Sequence, residues 1–275
     1  MMLINGEVVD QLAATDRGLH YGDGLFETIA VTDGQPRLWS QHMARLSEGC
    51  RALGIPMVDC ERLQHEATSL VKGAPRGVLK IIITRGSGGR GYRVPECIQP
   101  TRLLALHPWP DYPASHYEQG VTLRMCKTRL GINPALAGIK HLNRLEQVLA
   151  RNEWGSREAD EGVMLDPHGN VIEGTMSNLF IIEEERLITP NLTQCGINGI
   201  MRENVLHLAA QHQISTRIET LSVERLKMAS ACFVTNSIIG LWPVRQLDDI
   251  TYQQNKIVQA LIQTLREQHL ITMAS

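Results

Sequence analysis

Lys140 stands in Leu136-Ala-Gly-Ile-Lys-His-Leu142, an apolar stretch just ahead of a helical pattern. An ammonium group held there loses hydration, which lowers its pKa and frees a nucleophilic amine able to form a Schiff base with a carbonyl. The same stretch also suits a snorkelling lysine whose stem covers apolar surface while its charge stays wet. Glu173 shares a strand face with Val171, so a carboxylate occupies a place where alternation asks for an apolar group, unless that face is solvated. In Gly196-Ile-Asn-Gly-Ile-Met-Arg202 two glycines open a helix. The free N–H groups and positive dipole end of such a helix suit a phosphate, although an ordinary glycine loop ahead of a helix has the same form. Arg45 follows His42 by three residues, so both project from one side of their helix, where an arginine either holds an anion or pairs with a surface acid. Thr235-Asn236-Ser237 ends an apolar strand with three hydrogen-bonding side chains, which either reach a phosphate or make the turn.

Residues 83–92, Ile-Thr-Arg-Gly-Ser-Gly-Gly-Arg-Gly-Tyr, match the G-x-G-x-x-G spacing of dinucleotide loops. The run Val78–Thr84 supplies the strand that such a loop needs. The helix is missing, because Tyr92-Arg-Val-Pro95 follows where helix should run. The stretch reads instead as a glycine turn that brings Arg85, Arg90 and Tyr92 to a substrate carboxylate, or as a surface hairpin with solvated arginines.

These groups need elements to hold them. Residues 2–37 alternate short apolar runs with turn signals, as a β-rich meander does. Ser40 is placed to cap a helix with Met43, Leu46, Cys50 and Leu53 at helical spacing, ended by Gly54 and Pro56. A helix over 61–72 and strands over 78–84 and 103–106 follow. Residues 107–120 carry three prolines and no apolar period. This predicts an N-terminal α/β domain over 1–110, a linker over 111–120 and a C-terminal domain over 121–275. The second half reads as a strand over 121–125 and a helix over 143–154 with Leu145, Val148 and Leu149 on its apolar stripe. A hairpin then joins 162–165 to 171–173, with a further strand at 178–182. The helix opened by residues 196–202 carries Val205, Leu208 and Ala209 inward. A strand over 231–235 and a helix over 253–268 complete a mixed α/β chain.

The 275 residues carry a net charge of −2 with no run of five like charges, which gives no field for nucleic acid. No apolar stretch approaches a membrane span, and residues 1–6 lack the order of a signal peptide, so a cytoplasmic protein is expected. The six cysteines are scattered without metal-ligand spacing, and no metal is expected.

Taken together, Asp16-Arg-Gly18, Tyr21-Gly-Asp-Gly-Leu-Phe-Glu-Thr28, His42-Met-Ala-Arg45-Leu, Lys140, Glu173-Gly-Thr-Met-Ser-Asn178-Leu-Phe180 and Gly196–Arg202 resemble the class IV aminotransferase family of pyridoxal-phosphate enzymes. The resemblance covers nearly the whole chain. It implies a two-domain fold-type IV architecture of α/β (α+β) class, with a small N-terminal α/β domain, a larger C-terminal domain with a barrel-like sheet, and a homodimer. It also implies that pyridoxal 5'-phosphate forms a Schiff base with Lys140, that Glu173 pairs with the pyridine nitrogen, and that Asn178 helps hold the cofactor. Arg45, the backbone of Ile200 and Met201, and Asn236-Ser237 would bind the phosphate. Thr28 would assist proton delivery or simply pack in its strand. Within the family, Arg85–Tyr92 and Ala137–Val148 look most like bacterial lyases acting on 4-amino-4-deoxychorismate in 4-aminobenzoate and folate synthesis. D-amino-acid and branched-chain aminotransferases are the alternative. One position departs from the aminotransferases, where a tyrosine stands five residues after the lysine and this chain has Leu145.

Overall fold

The computed structural model describes residues 2–155 and 158–271. The chain divides into two compact units, Met1–Pro110 with Ile139–Asn143, and Asp111–Gly138 with Arg144–Ser275.

The first unit is built on the strands β1 (Met2–Ile4), β2 (Gly24–Thr32), β3 (Gln35–Pro36), β4 (Arg76–Thr84) and β5 (Thr101–His107). They pair antiparallel in the order β1-β5-β4-β2-β3. Its helices are α1 (Arg17–Tyr21), α2 (Trp39–Leu53) and α3 (Cys60–Val71). Strand alternation sends Leu25, Ile29 and Val31 of β2 and Leu79, Ile81 and Ile83 of β4 to one face. There they pack with Met43, Leu46 and Cys50 of α2 and Leu63, Ala67 and Leu70 of α3. The helical spacing of α2 is thus the spacing of its buried face. Its start differs from expectation: Ser40 lies inside the first turn, and Leu38 takes the cap position at φ 52° with no side-chain hydrogen bond. The β3–α2 connection is short enough to fix the entry backbone, which leaves a capping serine no role. Gly54, at φ 63°, ends the helix as predicted.

The second unit holds α4 (Ser115–Glu118), β6 (Val121–Arg129), α5 (Leu145–Arg151), β7 (Glu161–Leu165), β8 (Asn170–Gly174), β9 (Asn178–Glu183), β10 (Arg186–Pro190) and α6 (Ile200–Gln211). After them come β11 (Thr216–Glu219), β12 (Leu221–Ser222), α7 (Val223–Met228), β13 (Ala231–Asn236), β14 (Gly240–Leu247), β15 (Ile250–Thr251) and α8 (Lys256–Glu267). The sheet runs β11-β10-β9-β13-β14-β6-β7-β8-β12, with β15 on β14. Val171, from β8 near one end of that order, and Ile188, from β10 near the other, share a core with Leu123, Val163, Leu179 and Trp242. The sheet therefore curls around its interior in the barrel-like form expected. The predicted hairpin is present as β7–β8, and Val205, Leu208 and Ala209 of α6 are buried.

Three expectations are corrected. Residues 111–120 are not a free linker: Ser115–Glu118 form a helical turn, Tyr117 is buried, and Tyr112 meets Trp242 edge-on at 4.7 Å. Aromatic side chains here do the packing that the prolines concealed. The Lys140 segment, read as part of the C-terminal domain, belongs to the first unit, because Phe26 donates its N–H to the Lys140 carbonyl and Leu142 donates to that of Gly24. On α5, Leu145, Val148 and Leu149 are exposed at 75%, 51% and 59%, while Gln147 and Ala150 face inward. Their spacing marks an apolar face correctly but says nothing about which neighbour covers it.

Candidate active site

In the first unit, β3 covers β2 only at Val31 and Thr32, so the other end of β2 is an open edge, and residues 140–142 lie along it. This extended pairing fixes the Lys140 backbone. Its half-buried side chain reaches over Phe26, with Nζ 4.4 Å from the ring centroid. An aromatic face tolerates the ammonium form by cation–π attraction and offers the neutral amine only a weak contact. Thr28, half-buried, lies on the same face of β2 as Phe26.

The opposite face of β2 carries a group that sequence reasoning passed over. Glu27, 1% exposed, receives the His42 ring at 2.6 Å and both Nε and Nη2 of Arg45, Nε at 2.9 Å. Burial by itself would raise the Glu27 pKa. The Arg45 charge and the hydrogen bonds from His42 and Arg45 outweigh it, bringing the carboxyl from 4.5 to about 2. Burial also holds His42 below the usual imidazole range, against the opposing pull of Glu27, while the Arg45 and Lys140 charges add to the lowering. The expected pairing of His42 and Arg45 on one helix side is observed, and what they face is a carboxylate. A visible signal existed, since Glu27 breaks the inward phase of Leu25, Ile29 and Val31.

This cluster has a measurable consequence. A carboxyl whose folded pKa is depressed contributes stability above its unfolded pKa and loses it as pH falls through the folded one. For Glu27 the window runs from 4.5 down to about 2, and the full contribution is on the order of 3 kcal/mol. Thermal melting of the wild type is expected to weaken steeply across that window. Glu27→Gln is expected to be less stable at pH 7 and to show a flatter profile; parallel profiles would remove Glu27 from the acid response.

The loop residues separate. Arg85 is buried, its Nε and Nη2 on Asp23 at 2.8 and 3.0 Å and its Nη1 and Nη2 on the Gly54 and Leu53 carbonyls at 2.8 and 2.7 Å. It closes on the C-terminal end of α2, a structural role that the sequence expectation of a substrate contact did not include. Arg90 and Tyr92 are exposed, on a loop held by Arg17, whose guanidinium donates to the Gly91, Tyr92 and Arg93 carbonyls. No helix follows these glycines, in line with the rejection of a dinucleotide loop. Arg85→Ala is accordingly expected to cost about 3 kcal/mol in urea unfolding, as loss of one partner of a buried ion pair does. Arg90→Ala should leave stability unchanged, and equal stability losses would refute the distinction.

In the second unit, Glu173 is 3% exposed, so the solvated reading of its strand does not hold. Its Oε2 accepts the Ile197 N–H at 2.8 Å and the Asn178 amide at 3.4 Å, and that amide also donates to the Ile197 carbonyl at 2.9 Å. The two strand ends and the glycine segment are thereby tied together. Burial lowers the pKa of nearby Arg144, with the Glu173 and Glu146 charges opposing. Gly199 is required where it stands: a Cβ there would lie 1.9 Å from Asn178 Oδ1. It is the N-cap of α6 and leaves Ile200 and Met201 in a first turn that no side chain caps. A buried helix start of this kind asks for an anion. Asn236 is committed to its own turn, its Oδ1 accepting from Ile238 and Ile239 and its Nδ2 donating to the Met176 carbonyl. Beside it Ser237 is half-buried. Within the second unit, the buried carboxylate suits a basic ring nitrogen and the uncapped helix start suits a phosphate. No cluster of metal-binding side chains occurs among the described residues, and no helix there is long and apolar enough to cross a membrane.

Residues 24–247 match the family model described as amino-transferase class IV. The chain is 36% identical over 257 residues to the aminodeoxychorismate lyase of Vibrio harveyi, covering 94% of each chain. It is 30% identical to a putative branched-chain-amino-acid aminotransferase of Methanocaldococcus jannaschii, over 96% of this chain and 93% of that one. The crystal structure of 4-amino-4-deoxychorismate lyase from Pseudomonas aeruginosa superposes with a TM-score of 0.94 at 44% identity, covering 97% of this chain and 98% of that chain.

Proposed function

The chain belongs to the amino-transferase class IV family, whose cofactor is pyridoxal 5'-phosphate, and from that premise we propose that it is a 4-amino-4-deoxychorismate lyase, a carbon–oxygen lyase that releases pyruvate and leaves 4-aminobenzoate for folate synthesis. The observation that carries this reading is the likeness, at 44% and 36% identity over almost the full chain, to two proteins described as lyases for this substrate. Branched-chain or D-amino-acid aminotransferase activity is the second reading, supported by the 30% identity to the archaeal protein. The side chain five residues after Lys140 weighs against it, because Leu145 is exposed and carries no hydroxyl.

In this reading Lys140 would supply the amine that anchors the cofactor and the base that takes the proton from the substrate carbon bearing nitrogen. The Phe26 face suits both tasks, attracting the charged form and contacting the neutral one only weakly. When bound, pyridoxal 5'-phosphate supplies an electron sink for the charge left on that carbon. Glu173 holds a proton at the pyridine nitrogen, as a buried carboxylate beside a basic nitrogen can, and Ile197 and Asn178 orient it. The N–H groups of Ile200 and Met201 and the Ser237 hydroxyl would receive the phosphate, Asn236 shaping the turn, and Arg45, held by Glu27 through Nε and Nη2, would add its charge. Thr28, on the Phe26 face, carries a hydroxyl for proton delivery to the departing enolpyruvyl group. Arg90 and Tyr92 meet the substrate carboxylates.

The reading extends to a homodimer, supported by the exposed apolar face of α5, and to a cytoplasmic setting, supported by six unpaired cysteines. The two activities separate by their need for an acceptor. Purified protein given 4-amino-4-deoxychorismate alone should generate 4-aminobenzoate fluorescence, whereas dependence on an added keto acid would return the aminotransferase reading.

A further inference from the structure

Glu161 begins β7, is 1% exposed and is absent from the site as built so far. Its two oxygens collect five donors. Oε1 accepts from Gly162 N at 2.8 Å, Thr175 N at 3.0 Å and Thr175 Oγ1 at 2.5 Å, and Oε2 accepts from Met176 N at 3.1 Å and Ser177 Oγ at 2.8 Å. Four of these donors belong to the turn between β8 and β9. That turn is short and tight: Gly174 donates to the Ser177 carbonyl, and a Cβ on Gly174 would stand 2.2 Å from Ser177 Oγ. Glu173 lies immediately before the turn and Asn178 immediately after it. The Met176 carbonyl, within the turn, accepts from Asn236. One carboxylate thus sets the positions of three side chains drawn from three strands, and all three belong to the proposed cofactor site.

We propose that Glu161 is a positioning residue for the cofactor, one that builds the 174–177 turn so that Glu173, Asn178 and the Asn236 turn hold pyridoxal 5'-phosphate. This rests on the reading of those three residues as cofactor-binding. A glutamine of the same shape cannot replace it. If the amide nitrogen takes the Oε1 position, the N–H groups of Gly162 and Thr175 face another donor; if it takes the Oε2 position, that of Met176 does. Either arrangement sets donors against a donor and displaces the turn.

A built-in comparison separates positioning from mere stability. Asp166, also buried, organises the turn at the far end of the same hairpin, accepting from His168 N at 2.9 Å and from Asn170 N and Nδ2 at 2.8 Å. Glu161→Gln and Asp166→Asn make the same chemical change at the two ends. Full-length wild type and both variants are titrated with pyridoxal 5'-phosphate by absorbance, alongside thermal melting. Glu161→Gln is expected to raise Kd at least about tenfold, the weight of one hydrogen bond to a charged group, while Asp166→Asn keeps the wild-type Kd despite a comparable fall in Tm. Unchanged Kd in Glu161→Gln, or equal rises in both variants, overturns the inference and leaves the cofactor reading standing. A wild type that takes up no cofactor overturns both. Should Glu161→Gln fail to fold, Ser177→Ala removes a single donor, and the same titration is expected to give about a threefold rise; no rise overturns the inference.

Discussion

Lys140→Ala is expected to lose at least about 10³-fold in turnover, the scale on which a positioned base acts, and to purify without the yellow, borohydride-sensitive colour of lysine-bound pyridoxal. Both losses have one origin. In the proposed reading one side chain both anchors the cofactor and takes the substrate proton, so its removal costs both roles at once. The backbone that positions it is untouched, since Phe26 donates to the Lys140 carbonyl and not to its side chain. Circular dichroism of the variant should therefore match the wild type. A folded Lys140→Ala protein that keeps more than a tenth of the activity would remove Lys140 from the reaction.

Glu173→Gln is the second large effect, expected at about 10²-fold or more in turnover. The amide can still accept the Ile197 N–H, so the tie between β8 and the glycine segment survives. What disappears is the negative charge that the proposed reading puts beside the pyridine nitrogen. A neutral amide gives that nitrogen no reason to stay protonated, and an unprotonated ring stabilises carbanion charge far less well. Cofactor should remain bound with a shifted absorbance. Stopped-flow and steady-state assays on the same sample check the pattern: a fall in kcat with KM little changed supports it, and a fall confined to KM contradicts it.

The features legible in the sequence are those set by near neighbours along the chain. Lys140 in its apolar run, Glu173 in a buried strand phase and the paired glycines ahead of α6 each declare themselves within about ten residues, and the elements around them follow the same local periods. The partners of charged groups do not. Arg85 closes on Asp23 and on carbonyls at the end of α2, and nothing in Arg85–Tyr92 points to either. Glu27 and Glu161 both break an apolar pattern, which marks them as unusual, yet whether a buried carboxylate collects an arginine or five neutral donors depends on topology. The same limit explains Leu145, Val148 and Leu149, whose helical spacing defines a face without naming what lies against it. It also explains residues 111–120, where Tyr112 and Tyr117 anchor a segment whose prolines resemble a linker.

The central claim is that the chain eliminates pyruvate from an amino-chorismate without passing nitrogen to an acceptor. The most direct test is to incubate the cofactor-loaded protein with 4-amino-4-deoxychorismate and no keto acid, quantifying both products over many turnovers. One pyruvate per 4-aminobenzoate, continuing well past one turnover per active site, is the predicted result. A single turnover that halts until keto acid is added, or nitrogen retained on the enzyme in place of 4-aminobenzoate, would contradict it.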